Sequence, residues 1–188
     1  MRTPIAFLAL ALCLGSCANL TPEKRDLRGA LQLGMRQLDE DLWAPTEDQF
    51  SLGGEFVMMS KENGLGFESL VSISADSDEI GNVDVTATTI EASAGVRAEL
   101  TGQAVRPYVG VGVSLINAEI EAESGGSTNS EDDTSFAGYA HAGIEVPFAE
   151  RFYLGFDVRS LFGSDMEFSG VSGDADYLQF AVVFGASF

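Results

Sequence analysis

The last twelve residues, Tyr177-Leu178-Gln179-Phe180-Ala181-Val182-Val183-Phe184-Gly185-Ala186-Ser187-Phe188, decide the fold. Leu178, Phe180, Val182, Phe184, Ala186 and Phe188 fall on one face of an extended strand; Tyr177, Gln179, Ala181, Val183, Gly185 and Ser187 fall on the other. A helical period would scatter those phenylalanines around its circumference, so the segment reads as a strand. Arg151–Phe162 repeats the pattern, with Phe152, Leu154, Phe156, Val158 and Phe162 against Arg151, Tyr153, Gly155, Asp157 and Arg159.

Working outward, the same alternation predicts strands over Gln49–Ser60, Leu65–Ala75, Val85–Leu100, Val105–Ile120 and Thr134–Val146. Leu27–Leu38 supplies an eighth, Leu27, Gly29, Leu31, Leu33 and Met35 alternating with Arg28, Ala30, Gln32, Gly34 and Arg36. A helix competes there, because Leu27, Leu31, Met35 and Leu38 also suit a spacing near 3.6 after the helix-start signal Thr21-Pro22-Glu23. Two interior glycines weigh against it, and an even strand count completes the topology. The connections alternate in length. Lys61–Gly64, Thr101–Ala104 and Pro147–Glu150 are short; Asp39–Asp48, Asp76–Asp84, Ile120–Asp133 and Gly163–Asp176 are long and polar. This is an all-β pattern, an eight-stranded antiparallel up-and-down meander whose strands are long enough to cross a bilayer when tilted, and hence a transmembrane β-barrel.

The two faces differ in kind. One carries Phe, Leu and Val at nearly every position. The other carries Gly, Ser and Tyr with six arginines, Arg28, Arg36, Arg97, Arg106, Arg151 and Arg159, and six carboxylates, Glu55, Glu68, Glu91, Glu99, Glu145 and Asp157. Eight strands enclose a space that side chains fill, and buried charges must pair. The equal counts therefore predict a closed interior ion-pair network with the apolar faces turned to lipid. A soluble ligand-binding cup in the periplasm, apolar inside and wet outside, is the alternative architecture; it would strand an apolar belt in water.

The amino terminus, MRTPIAFLALALCLGSC, sets an expected compartment. Arg2 precedes an apolar run, Ile5–Leu14, of signal-peptide length, ending in Leu14-Gly15-Ser16-Cys17. These four residues resemble the lipobox of bacterial lipoproteins, which implies a signal peptide over 1–16, lipidation of Cys17, a tether over 17–24 and a barrel domain over 25–188. Ala18, rather than Asp, favours the outer membrane by the same resemblance. Cys13 lies in the segment to be removed, so disulfides have no part.

Composition excludes other classes. Among 188 residues, 29 are acidic and 10 basic, a net charge of −19, which disfavours nucleic acid. Thirteen Phe and 45% hydrophobic residues are too many for a disordered chain. The stretches 39–48, 76–84, 119–133 and 163–176 hold 19 of the acids and no Lys or Arg. The other 10 acids match all 10 bases, so the excess charge belongs to one end of the molecule. Such loops suit at most weak divalent cation binding; no EF-hand spacing is present and no cofactor is expected.

The terminal strand Phe180–Phe188, the stretch Arg106-Pro107-Tyr108-Val109-Gly110-Val111-Gly112, the segment Asp39–Asp48 before a Gly-rich strand, and Gly173-Asp174-Ala175-Asp176-Tyr177 together resemble small eight-stranded bacterial outer-membrane β-barrel proteins, in particular uncharacterised lipoproteins with an outer-membrane-protein β-barrel domain. The resemblance implies that Phe188 ends a recognition signal for the barrel-assembly machinery. It also implies extracellular long loops, a periplasmic anchor, and outer-membrane lipid and the lipoprotein-processing and lipidation enzymes as partners of a monomer. A structural or surface-interaction role is expected. The enzyme alternative is lipid modification. Some such barrels deacylate lipid A with a His-x-Ser pair, but here His141 is followed by Ala142 and Gly143. His141, beside Glu145 and Tyr139 on the inward face, reads as a hydrogen-bonded interior group, Ser114 being a conceivable nucleophile on another strand. Trp43 reads as a loop-packing or membrane-interface aromatic.

Overall fold

The computed structural model describes residues 25–39, 43–100, 104–125, 127–168 and 170–188. The expectations for the signal peptide, Cys17 and the tether, and most of the turn Thr101–Ala104, lie outside these residues. Among the described residues ten strands follow one another: β1 (Arg25–Leu38), β2 (Asp48–Ser60), β3 (Leu65–Ile80), β4 (Val83–Glu99), β5 (Arg106–Ser124), β6 (Ser127–Pro147), β7 (Phe152–Phe162), β8 (Met166–Phe168), β9 (Val171–Gly173) and β10 (Tyr177–Ser187). Eight close a barrel in the order β1-β10-β7-β6-β5-β4-β3-β2, each antiparallel to its neighbours. The seam joins the first strand to the last, with Leu31 opposite Phe184 and Met35 opposite Phe180. Leu27–Leu38 is thus strand, not helix. Its ladders on both sides satisfy every peptide group that an isolated helix would have paired internally.

Alternation turns the apolar rows outward. Phe184, Val182 and Phe180 of β10, Leu154 and Phe156 of β7, and Leu31 and Leu33 of β1 are all 45–60% exposed, an apolar wall that only lipid covers without cost. The soluble-cup arrangement is the reverse of this. Near the short-turn end, Phe148, Phe152 and Phe184 stack with ring centroids 6.0–6.3 Å apart, in the manner of the aromatic girdles at membrane interfaces.

The barrel is lopsided, which the sequence reading missed. The β2–β3 ladder stops at Phe50 opposite Ala75, and the β6–β7 ladder at Gly138 opposite Phe162. Beyond those points β3, β4, β5 and β6 remain paired with one another, to Ile80 opposite Val83 and Ser124 opposite Ser127. The expected long loops Asp76–Asp84 and Ile120–Asp133 are therefore mostly strand, and form a four-stranded sheet projecting from the long-loop end. The physical reason is visible afterwards. Val83, Val85, Ile120 and Ala122 keep the period of two through the acidic stretch, and Gly81 (φ 71°) and Gly125 (φ 58°) supply the left-handed residues of two tight turns. The fourth expected loop, Gly163–Asp176, contains the short β8–β9 hairpin.

Placing charge on the wall tests the membrane orientation. Val182→Arg, in the middle of β10, is expected to destabilise the refolded barrel by ~2–4 kcal/mol, measured as a shift in urea unfolding in lipid vesicles. Thr86→Arg on the projecting sheet should stay within ~0.5 kcal/mol. Equal effects would place both positions in the same environment.

Candidate functional site

The lumen holds a charged column capped by an apolar lid. At the long-loop end Trp43 is 1% exposed and packs in a cluster with Leu38, Ile116, Leu161, Met166 and Phe168. Its ring meets Phe168 edge-on at 5.8 Å, and its indole nitrogen donates to the Asp174 carbonyl at 2.7 Å. Trp43 is thus a plug beneath the loops.

Below the lid, Glu91 of β4 receives four donors: Arg36 (2.9 Å), Arg159 (3.0 Å), the Ser114 hydroxyl (2.7 Å) and the Tyr177 hydroxyl (2.6 Å). Two guanidiniums and two hydroxyls around one buried carboxylate occupy its acceptor sites. Ser114 is held in this network by Glu91, with Arg159 a further 3.4 Å donor. The Arg36 and Arg159 guanidiniums also lie over the Tyr177 and Tyr139 rings at 3.9 and 3.8 Å, cation–π contacts strengthened by desolvation.

At the next level His141 bridges two strands. Its Nε2 is 2.8 Å from Glu68 Oε1 and its Nδ1 is 2.9 Å from Asp157 Oδ2. Each carboxylate also accepts a tyrosine hydroxyl at 2.7 Å, Tyr139 on Glu68 and Tyr108 on Asp157. An imidazolium donates from both ring nitrogens and uses both contacts, whereas a neutral ring donates from one. Glu145, expected beside His141, serves arginines instead.

The short-turn end carries the third cluster. Glu145 receives Arg97, Arg28 at 2.8 Å, and Arg106 at 3.4 Å. Arg28 also forks onto Glu99 at 2.6 and 3.0 Å and reaches Asp26 at 2.6 Å. Arg97 lies 3.4 Å over the Tyr108 ring, with Glu55 at 3.6 Å. The wall leaves room for these rings only where it lacks a side chain: a Cβ on Gly143 would overlap the Tyr108 hydroxyl and ring.

Eleven of the twelve residues singled out as an interior charge network face this lumen: Arg28, Arg36, Glu55, Glu68, Glu91, Arg97, Glu99, Arg106, Glu145, Asp157 and Arg159. Arg151 does not. It is exposed in the turn before β7, where its carbonyl accepts the Ser187 N–H at 2.8 Å, because β7 begins one residue later than the alternation suggested. Five arginines thus face six carboxylates, with His141 the remaining basic group. Tyr108, Tyr139 and Tyr177, which hold both carboxylates and guanidiniums in place, were not singled out, although each shares the inward phase of its strand. Phe188 is 82% exposed and closes the seam through its N–H to the Leu27 carbonyl at 2.8 Å. Among the described residues no group of three or more His, Cys, Asp or Glu has metal-holding geometry.

Removing one member of the upper cluster should be costly. Glu91→Leu leaves Arg36 and Arg159 without their carboxylate, and is expected to lose ~3–5 kcal/mol in vesicle unfolding. The triple variant Glu91→Leu/Arg36→Met/Arg159→Met should recover most of that loss. An unchanged midpoint for Glu91→Leu alone would show that the cluster does not support the wall.

Comparison with known proteins agrees with the geometry. Ail, the attachment invasion locus protein of Yersinia pestis solved with the heparin analogue sucrose octasulfate, matches with a TM-score of 0.63 at 13% identity, over 88% of this chain and 99% of its own. A major outer membrane protein from Thermus thermophilus gives 0.61 at 9% identity, covering 87% and 99%. OprG from Pseudomonas aeruginosa gives 0.57 at 14%, covering 87% and 95%. At such identities the likeness concerns the fold. No curated protein sequence matches. The family model for the outer membrane protein β-barrel domain, however, matches residues 5–188. A closed barrel of eight strands, an apolar outer wall and that match together place the chain in the outer membrane protein β-barrel domain family, as a bacterial outer-membrane barrel.

Proposed function

We propose that the protein is a lipid-anchored surface barrel whose working part is the projecting four-stranded sheet. Its role is contact rather than transport or catalysis. The observation that carries this reading is the asymmetry of the strands: β3–β6 outrun the rest of the ring and carry the acids out with them. On the outer face of the sheet Glu79, Asp84 and Glu123 stand directly opposite one another across three strands, and Glu119 stands opposite Asp132. Like charges in such register repel, a cost that a purely structural hairpin has no reason to carry. A positively charged counterpart, such as a basic protein surface or divalent cations bridging to lipopolysaccharide phosphates, relieves it. The sign is opposite to what a polyanion such as sucrose octasulfate requires. Charged and aromatic side chains fill the lumen, and its buried His141 and Ser114 are engaged by neighbours on other strands.

In this reading the long-loop end is extracellular, the short turns are periplasmic, and Cys17 carries a diacylglyceryl thioether in the inner leaflet. The protein works as a monomer, inserted by the barrel-assembly machinery through its Phe188-terminated strand after lipoprotein processing and lipidation. Intact cells expressing Asn82→Cys should react with a membrane-impermeant maleimide. Those expressing Glu62→Cys should react only after the outer membrane is permeabilised. The reverse pattern would overturn the orientation. Radiolabelled palmitate should enter the wild-type protein and not Cys17→Ser; equal incorporation would remove the lipid anchor from the reading.

A further inference from the structure

Among the described residues, the lipid-facing wall carries a groove of about 630 Å³ beside the β2–β3 turn. Its position follows from the ladders. On the outer face Met58, Phe67, Val96 and Val111 stand in one cross-strand row, and Leu65, Ala98 and Val109 in the next toward the short-turn end. Ala98 is the small member between two large ones, so the second row dips at its centre. The inward residues of the same stretch, Gly66 and Gly110 on either side of Arg97, add no bulk of their own to the wall. The floor is thus apolar. The rim at the turn holds Ser60, Glu62 and Asn63, hydrogen-bonding groups with a carboxylate, while Arg97 beneath the floor turns its guanidinium into the lumen toward Glu145. An apolar trough with a polar lip suits a hydrocarbon chain attached to an ester or amide.

We infer that this groove seats an acyl chain of the lipid on Cys17, docking the anchor onto its own barrel. The inference rests on the lipoprotein reading above. The chain enters the barrel at the groove: Arg25, the first residue of β1, pairs with Ser60, which lines the rim. Arg25 lies eight residue steps after Cys17, a reach of up to roughly 26–29 Å. Three strand spacings of ~4.8 Å separate β1 from β4, about 14 Å. The tether is therefore long enough to bring the glyceryl-cysteine to the rim. Docking there would hold the short-turn end at a constant depth in the inner leaflet, and would tie the start of β1 to the wall built by β3–β5.

The test uses the full-length lipoprotein in its own membrane. A photoreactive benzoylphenylalanine replaces Val109 in the groove or, as a control, Phe184 on the outer face of β10. Phe184 is the stricter control because β10 adjoins β1, where the tether begins. After irradiation, the cross-linked peptides and the Cys17 peptide are weighed by mass spectrometry. The lipidated Cys17 peptide is expected to be captured at Val109 at least fivefold more than at Phe184, and Ala98→Trp, which fills the floor from the lipid side, should remove the excess. Equal capture at the two positions, or capture at Val109 of membrane phospholipid alone, overturns the docking and leaves the lipoprotein reading intact. A Cys17 peptide without lipid overturns both, and its mass identifies that case directly.

Discussion

Everything inside this barrel answers to one constraint: eight strands enclose a space that side chains fill, and among the described residues five arginines, six carboxylates and His141 are packed into it. A charge in such a place is tolerated only with a partner and with its remaining hydrogen-bonding capacity used. The three clusters supply the partners level by level, although in the short-turn cluster Glu55 Oε2 and Arg97 Nε and Nη1 make no hydrogen bond. Glu91 gathers Arg36 and Arg159, His141 joins Glu68 to Asp157, and Glu145 gathers Arg28, Arg97 and Arg106. Each cluster includes at least one pair from strands that are not neighbours in the ring, Arg36 with Glu91, His141 with Glu68 and Arg28 with Glu145, so the network cross-braces a wall otherwise held only by its ladders.

The tyrosines couple this column to the shape of the wall. Tyr108 donates to Asp157 while its ring supports Arg97; Tyr139 donates to Glu68 while its ring supports Arg159. A planar ring that serves an anion at its tip and a cation on its face packs two opposite charges with one apolar body between them. At the long-loop end the same strands run on into water, and the lumen is sealed by Trp43 and its neighbours before the acidic sheet begins. Charge is thus divided by position: paired and buried within the membrane, unpaired in sign and exposed beyond it.

Much of this was legible in the order of residues. Alternation alone assigns Phe180 and Gln179 to opposite faces, and their phase marks Arg36, Glu91, Arg97 and Arg159 as interior. Arg151 misled because alternation does not say where a strand stops, and a turn residue in phase with the next strand looks like part of it. The segments 76–84 and 120–133 misled in the other direction. Acids and serines mark a loop by composition, yet Val83, Val85, Ile120 and Ala122 keep the strand period, and pairing within a four-stranded sheet outweighs the low strand propensity of Asp and Glu.

The sequence by itself determined the architecture, the inward and outward faces and the location of the excess charge, because a period of two and a count of strands are local properties of the chain. Only the tertiary structure decided which acid meets which base. Glu145 lies four residues from His141 in the chain, yet His141 is held by Glu68 and Asp157 while Glu145 binds Arg28, 117 residues away. Those choices depend on how far each strand is shifted against its neighbours as the ring closes, and shear is a property of the closed barrel that no single segment encodes.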